Sequence, residues 1–156
     1  MPMPPDYEAQ ALYGPEAWFV HDVLELDAEA GRVVGLIDTT RLGPLVDAQI
    51  ERPGHPKHFP GAVAIQVTGT LGQLHAIYIL GLRGSEGWSG FGTHILDARF
   101  RKLGEIGPPV HATCLATRVR SLRGTTFIDY QFCFTQHGEP IYESKQRAAW
   151  VKTPGG

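Results

Sequence analysis

The sequence predicts an α+β fold in which a long, curved antiparallel sheet wraps around one central helix. Two observations carry this. From Phe59 to Leu82 the chain has no Asp, Glu, Lys or Arg, and within that stretch Val67, Leu71, Leu74, Tyr78 and Leu82 keep helical spacing. Beyond Thr93 the pattern changes to strands. Ile128, Tyr130, Phe132 and Phe134 alternate with Asp129, Gln131, Cys133 and Thr135, the signature of an antiparallel sheet with one face buried.

Taken in order, residues 1–16 read as a flexible N-terminal segment, 17–152 as one domain and 153–156 as a tail. Residues 18–27 mix apolar and polar side chains in rough alternation and read as a strand. A turn over 28–31 leads to a second strand at 32–38, which completes a hairpin. Residues 39–57, with Pro44, Pro53 and Pro56, read as irregular apart from a short strand at 45–50. After the helix, residues 84–92 read as a Gly-rich loop, with no strand–GxGxxG–helix unit to make a phosphate cradle. Strands follow at 93–102, 110–120, 127–136 and 140–152, with Gly124 and His137–Gly138 marking hairpin turns.

The uncharged stretch is long enough to raise a membrane span. Gln66, Thr68, Thr70, Gln73 and His75 argue against it and for a core helix, whose Gly69, Gly72 and Ala76 admit close neighbours. A net charge of −2 gives no electrostatic case for a nucleic-acid partner. The two cysteines, Cys114 and Cys133, are not in a metal-binding or disulfide pattern, and a reducing, cytoplasmic setting fits them. The N-terminus has no basic or apolar leader pattern.

Chemistry concentrates at the helix entrance, His55-Pro-Lys-His58-Phe59-Pro60-Gly61. An imidazole exchanges protons near neutral pH, and backbone N–H groups at a helix start stabilise developing negative charge. His58 is therefore the candidate catalytic base, and Gly61 the candidate oxyanion donor. His55, Gln66, Thr70 and Gln73 are candidate substrate-binding or structural groups. His55 and His58 have a possible metal spacing but no third ligand nearby, so no metal is expected. Arg99, Arg101 and Lys102 read either as a solvated strand edge or as a contact for a carrier protein or the phosphates of coenzyme A.

These residues resemble the hot-dog fold, in particular the β-hydroxyacyl-carrier-protein dehydratases of fatty-acid synthesis. His58-Phe59-Pro60-Gly61 is similar to their His-Phe-Pro-Gly motif, and residues 18–27 to their first strand. Asp97-Ala98-Arg99-Phe100-Arg101 followed by Pro108-Pro109 is similar to their strand ending in Arg-Phe-Arg and its turn. The resemblance covers most of 17–152. It implies a homodimer with active sites at its interface. The implied substrate is an acyl thioester on the phosphopantetheine of acyl carrier protein or coenzyme A, with no further cofactor.

The chain departs from the family where an acid is needed. The dehydratases carry a Glu or Asp near the start of the helix, and the matching positions here are Gln66 or Gly69. Three readings stay open. The first is a 3-hydroxyacyl dehydratase-like enzyme of fatty-acid or polyketide-type metabolism, with His58 as base. The second is an acyl thioesterase, or an enzyme adding nucleophiles to enoyl thioesters, which the missing carboxylate favours. The third is a non-catalytic acyl-binding dimer.

Overall fold

The computed structural model describes residues 1–154, so Gly155 and Gly156 of the expected tail lie outside the described residues. Strands β1 (Asp22–Asp27) and β2 (Arg32–Ile37) form the first hairpin. Helix α3 (Gly61–Tyr78) follows the short helices α1 (Tyr7–Gln10) and α2 (Pro44–Asp47). Then come β3 (Trp88–Phe100), β4 (Val110–Leu122), β5 (Thr125–Gln136) and β6 (Glu139–Lys152). The six strands make one sheet in the order β1-β2-β4-β5-β6-β3, and every neighbouring pair is antiparallel.

The hairpins are set by their turns. Two residues link β4 to β5, Arg123 (φ 51°) and Gly124 (φ 80°), and two link β5 to β6, His137 (φ 54°) and Gly138 (φ 73°). Positive φ at both central positions is the turn geometry whose twist matches paired strands, and glycine at the second position adopts it without strain.

Helix α3 lies against the concave face of the sheet. Val63, Val67, Leu71 and Leu74 are fully buried with Val33, Ile37, Ala112, Ile128 and Phe134. Only Ala62, Ile65 and Gly69 along its first half are exposed. Side chains from both elements fill the space between them, and this removal of apolar surface is the main stabilising term. No helix among the described residues is long and apolar enough to cross a membrane.

The structure differs from the sequence expectations in several places; the first strand, expected over 18–27, begins only at Asp22. Residues 45–50 were expected to be a strand, but Pro44 begins a helical turn, α2. Proline's fixed φ and missing N–H suit the first helical position. Strand β3 starts at Trp88, inside the stretch expected as a loop, because Gly90 leaves room for the Trp150 ring. A Cβ at Gly90 would lie 2.2 Å from that ring. The N-terminal segment 1–16, expected to be flexible, is mostly exposed but anchored at Tyr7. Tyr7 is 1% exposed, its ring 4.9 Å from that of Trp18, and the Val23 N–H donates to the Met1 carbonyl.

The Trp150 ring cannot yield to a methyl group without repacking. Gly90→Ala is therefore expected to lower unfolding stability by about 1–3 kcal/mol in chemical denaturation. Gly92→Ala, with open space at its Cβ, is expected to change it by less than about 0.5 kcal/mol.

Candidate functional site

The chain entering α3 is held rigidly from both sides. The Gln49 side chain, just past α2, grips the backbone of His58: Oε1 accepts from the His58 N–H at 2.9 Å and Nε2 donates to the His58 carbonyl at 2.8 Å. On the other side His58 pairs with Glu105 in an isolated bridge, and the Phe59 N–H donates to the Gly104 carbonyl at 2.9 Å. That second wall is itself fixed by buried Gln136, which bonds the N–H and carbonyl of Glu105 and the carbonyl of Pro108. Phe59 and Pro60 are buried, so the segment is anchored through its apolar residues while His58 stays half-buried.

The imidazole of His58 has a defined tautomer. Its Nδ1 lies 3.2 Å from the Pro56 carbonyl, which can only accept, so Nδ1 carries the proton. In the neutral ring Nε2 is then the lone-pair nitrogen, free to act as a base. His55 stands beside it, ring centroids 5.0 Å apart and edge-on, but is exposed.

Three residues after His58, α3 begins. Pro60 is its cap and offers no side-chain hydrogen bond, and no acidic residue lies in the first turn. The first helical carbonyl acceptor in use is that of Pro60, taken by Ala64 N–H at 3.1 Å, so the N–H groups of Gly61, Ala62 and Val63 precede the helical ladder. The partial positive charge of the helix terminus is left uncompensated there.

The start of α3 opens on a cavity of about 430 Å³, walled by His58, Phe59, Gly61, Ala64, Phe100, Ile141 and Tyr142 with Arg101 to Gly104 at its rim. Gly61 is needed for this shape: a Cβ there would come within 3.0 Å of the Phe100 ring. No carboxylate lines the cavity among the described residues. The cations at its rim are engaged, Arg101 with Glu143 at 2.9 Å and Lys102 with Glu139, while Glu105 bonds His137. Arg99 likewise pairs with Asp97. These pairs are all substantially exposed and contribute little to stability.

A second cavity, about 540 Å³, lies farther along α3, between the helix and strands β3 and β6. Gln66 and Gln73 line it, as do Thr68, Gly69, Gly72, Phe132 and Gln146. Two of the sequence-named candidates have defined structural partners here. Gln66 Nε2 donates to the Ala17 carbonyl, and Gln73 Oε1 accepts from the Leu12 N–H. Thr70, outside either cavity, donates to the Trp18 carbonyl at 3.0 Å. These three side chains therefore fasten the chain that precedes β1 along α3 and are not gathered around His58. No group of three or more His, Cys, Asp or Glu side chains among the described residues could hold a metal. Burial pushes both cysteine thiols up, Cys114 strongly, so neither is a ready nucleophile.

The sequence reading missed Gln49. Nothing near it in the chain marks it, because its role comes from α2 folding back onto a loop nine residues away. Gln49→Ala is expected to cost about 1–3 kcal/mol, since it leaves the half-buried N–H and carbonyl of His58 without their partners. Urea unfolding measures this.

His75 is a buried group with a pH consequence. It is 1% exposed, and its Nδ1 lies 2.8 Å from the Tyr130 hydroxyl, which also reaches the Gly72 carbonyl at 3.2 Å. Burial lowers its pKa from 6.5 to about 4. Between those values the unfolded chain binds a proton that the folded chain refuses, so stability is full above the upper value and falls as pH drops through the window. The loss approaches about 3 kcal/mol at the lower end. His21, also lowered by desolvation, acts in the same direction. Unfolding measured from pH 7 to 4 is expected to show a shallower slope for His75→Gln than for the parent chain.

Comparison with known proteins agrees with this architecture. No protein family and no curated protein matches the chain by sequence. Solved structures do match. A mutant thioesterase from Pseudomonas aeruginosa superposes with a TM-score of 0.59 at 14% identity, over 87% of this chain and 84% of that one. A thioesterase from Haemophilus influenzae gives 0.59 at 13% identity, over 90% and 85%. A hypothetical thioesterase with coenzyme A from Streptococcus pneumoniae gives 0.55 at 12% identity, over 85% and 86%. The chain has the hot-dog fold, and at this level of identity the likeness speaks to the fold alone.

Proposed function

We propose that the protein hydrolyses acyl thioesters, with coenzyme A as the carrier, at the entrance of α3. The observation that carries this is the juxtaposition of the His58 imidazole with an uncapped helix start that opens on an apolar, carboxylate-free cavity. The thioester carbonyl oxygen accepts hydrogen bonds from the N–H groups at Gly61 and Ala62, where the helix terminus favours negative charge. His58 Nε2 takes a proton from water as the water oxygen attacks the carbonyl carbon. The carbon–sulfur bond then breaks, the proton passes to the departing thiolate, and the products are a carboxylic acid and a thiol. No cofactor beyond the carrier's own phosphopantetheine is required. The coenzyme A carrier is inferred by analogy with the Streptococcus pneumoniae structure, which contains it.

Dehydration of a 3-hydroxyacyl thioester is the second reading, favoured by the His58-Phe59-Pro60-Gly61 sequence. It needs a proton donor for the leaving hydroxyl. Neither Gln66 nor Gly69 supplies one, and no acid lines either cavity among the described residues. Hydrolysis makes no such demand, and for that reason it is preferred.

The same reading includes a homodimer. Strand β3 is a sheet edge of 13 residues, paired only with β6, and it leaves Phe91, Ile95, Leu96 and Phe100 each more than half exposed. A long edge carrying large apolar side chains is self-complementary, because an antiparallel copy satisfies its unpaired backbone and covers its apolar groups together.

Two measurements test these points. The purified protein is incubated with saturated acyl, enoyl and 3-hydroxyacyl thioesters, and thiol release and enoyl formation are followed separately. Thiol release is expected, reduced about 10²- to 10⁴-fold in His58→Ala; enoyl product without thiol would replace hydrolysis by dehydration. In light scattering the parent chain is expected as a dimer, and a double Ile95→Lys, Leu96→Lys variant as a monomer. A monomeric parent chain would remove the dimer from the account.

A further inference from the structure

The cavity at the start of α3 is separate from the larger one farther along the helix, and the two have no wall in common. On α3 the first is lined by Gly61 and Ala64 alone, and the second begins with Gln66 and Thr68. From Gly61 to Ala64 the helix rises about 4.5 Å. An extended hydrocarbon advances about 1.3 Å per carbon, given C–C bonds of about 1.5 Å. The depth along the helix therefore takes about four carbons.

Tyr142 stands between the two spaces. Its ring is a wall of the first cavity, 1% exposed, and lies 5.0 Å from the Phe134 ring and 5.2 Å from the Phe100 ring. Its hydroxyl meets a polar cluster on the side of the second cavity. There the amide nitrogen of Gln146, a wall of that cavity, lies 3.5 Å from Tyr142 Oη, 3.2 Å from Ser144 Oγ and 3.1 Å from Thr68 Oγ1. Tyr142, Ser144 and Gln146 alternate along β6 and so share one face of the strand. Thr68 on α3 completes the partition from the other side.

A longer acyl chain meets two obstacles. To go on along α3 it must displace a buried aromatic ring packed between two others, and close-packed interiors yield little. It must also pass hydroxyls and an amide that now satisfy one another, and leave them beside hydrocarbon without partners. The open side of the cavity runs past Arg101 and Lys102, paired with Glu143 and Glu139. Carbons turned out there stay in water and gain nothing from burial.

We propose that Tyr142 is a specificity-determining residue whose ring sets the upper limit on acyl length. The substrate class is then the short-chain acyl thioester, and the second cavity takes no part of it. This rests on the reading of the α3 entrance as the thioester site. Up to the limit, each added methylene is buried against Phe59, Ala64, Phe100 and Ile141; beyond it, the next carbon has no apolar surface to cover.

The test uses straight-chain acyl-coenzyme A thioesters from acetyl to palmitoyl, with the parent chain, Tyr142→Phe, Tyr142→Leu and Tyr142→Met. In the parent chain kcat/KM is expected to rise about fourfold per added methylene up to butyryl or hexanoyl, and to be at least about 10-fold below that maximum from decanoyl onward. Tyr142→Phe keeps the ring and is expected to keep the limit. Tyr142→Leu and Tyr142→Met remove it and are expected to move the maximum to longer chains, and turnover of the short members shows that they fold. A parent chain that cleaves palmitoyl as well as butyryl overturns the proposal, as does a limit unchanged in Tyr142→Leu and Tyr142→Met or lost equally in Tyr142→Phe. Calorimetric binding of the matching non-hydrolysable thioether analogues separates the two claims. If no thioester is cleaved but short analogues bind with a length limit that Tyr142→Leu relaxes, the hydrolase reading fails and the role of Tyr142 stands. If thioesters are cleaved without a length limit, only the Tyr142 proposal fails.

Discussion

Everything in this structure is arranged around a helix with no charged side chain. Helix α3 is buried in the curve of the sheet over most of its length, so each polar group it carries must find a partner within the protein. Thr70, Gln66 and Gln73 reach the backbone of the chain that precedes β1, Thr68 reaches β6, and His75 reaches Tyr130 on β5. No buried side-chain nitrogen or oxygen among the described residues lacks a partner. Five polar residues on one helix thus fix the positions of three separate parts of the chain.

The helix start follows a different rule. A buried terminus normally has its N–H groups capped by a side chain, and here the cap is Pro60, which cannot do so. The backbone around it is held instead by two glutamines: Gln49, just past α2, holds the His58 loop, and Gln136, the last residue of β5, holds the facing loop. Such clamps fix a backbone without adding charge, so the field of the helix terminus is not neutralised. A helix terminus with free N–H groups is suited to holding a developing oxyanion, and an imidazole beside it to moving a proton.

Much of the fold was legible because its signals are local. The absence of charge over 59–82 marks the helix, and the alternation in β5 marks the sheet. The site was legible only in part. His58 and Gly61 stand in a recognisable motif, but the partners of Gln66, Thr70 and Gln73 lie about 50 to 60 residues away, a separation that periodicity does not encode. The anchoring of the N-terminal segment at Tyr7 was missed for the same reason: its burial depends on Trp18 and Tyr78. The start of β3 was hidden by Gly90, which looks like a loop residue until the Trp150 ring is seen over it.

The central claim is that a thioester carbonyl is held at the start of α3. Amide NMR of the protein titrated with an acyl-coenzyme A analogue, in which a methylene replaces the sulfur and the carbonyl is kept, tests it most directly. The account predicts saturating shifts of the Gly61 and Ala62 N–H signals together with the His58 ring, and loss of the Gly61 and Ala62 shifts when the analogue's carbonyl is reduced to methylene. Binding of the carbonyl analogue that leaves Gly61, Ala62 and His58 unmoved would contradict it.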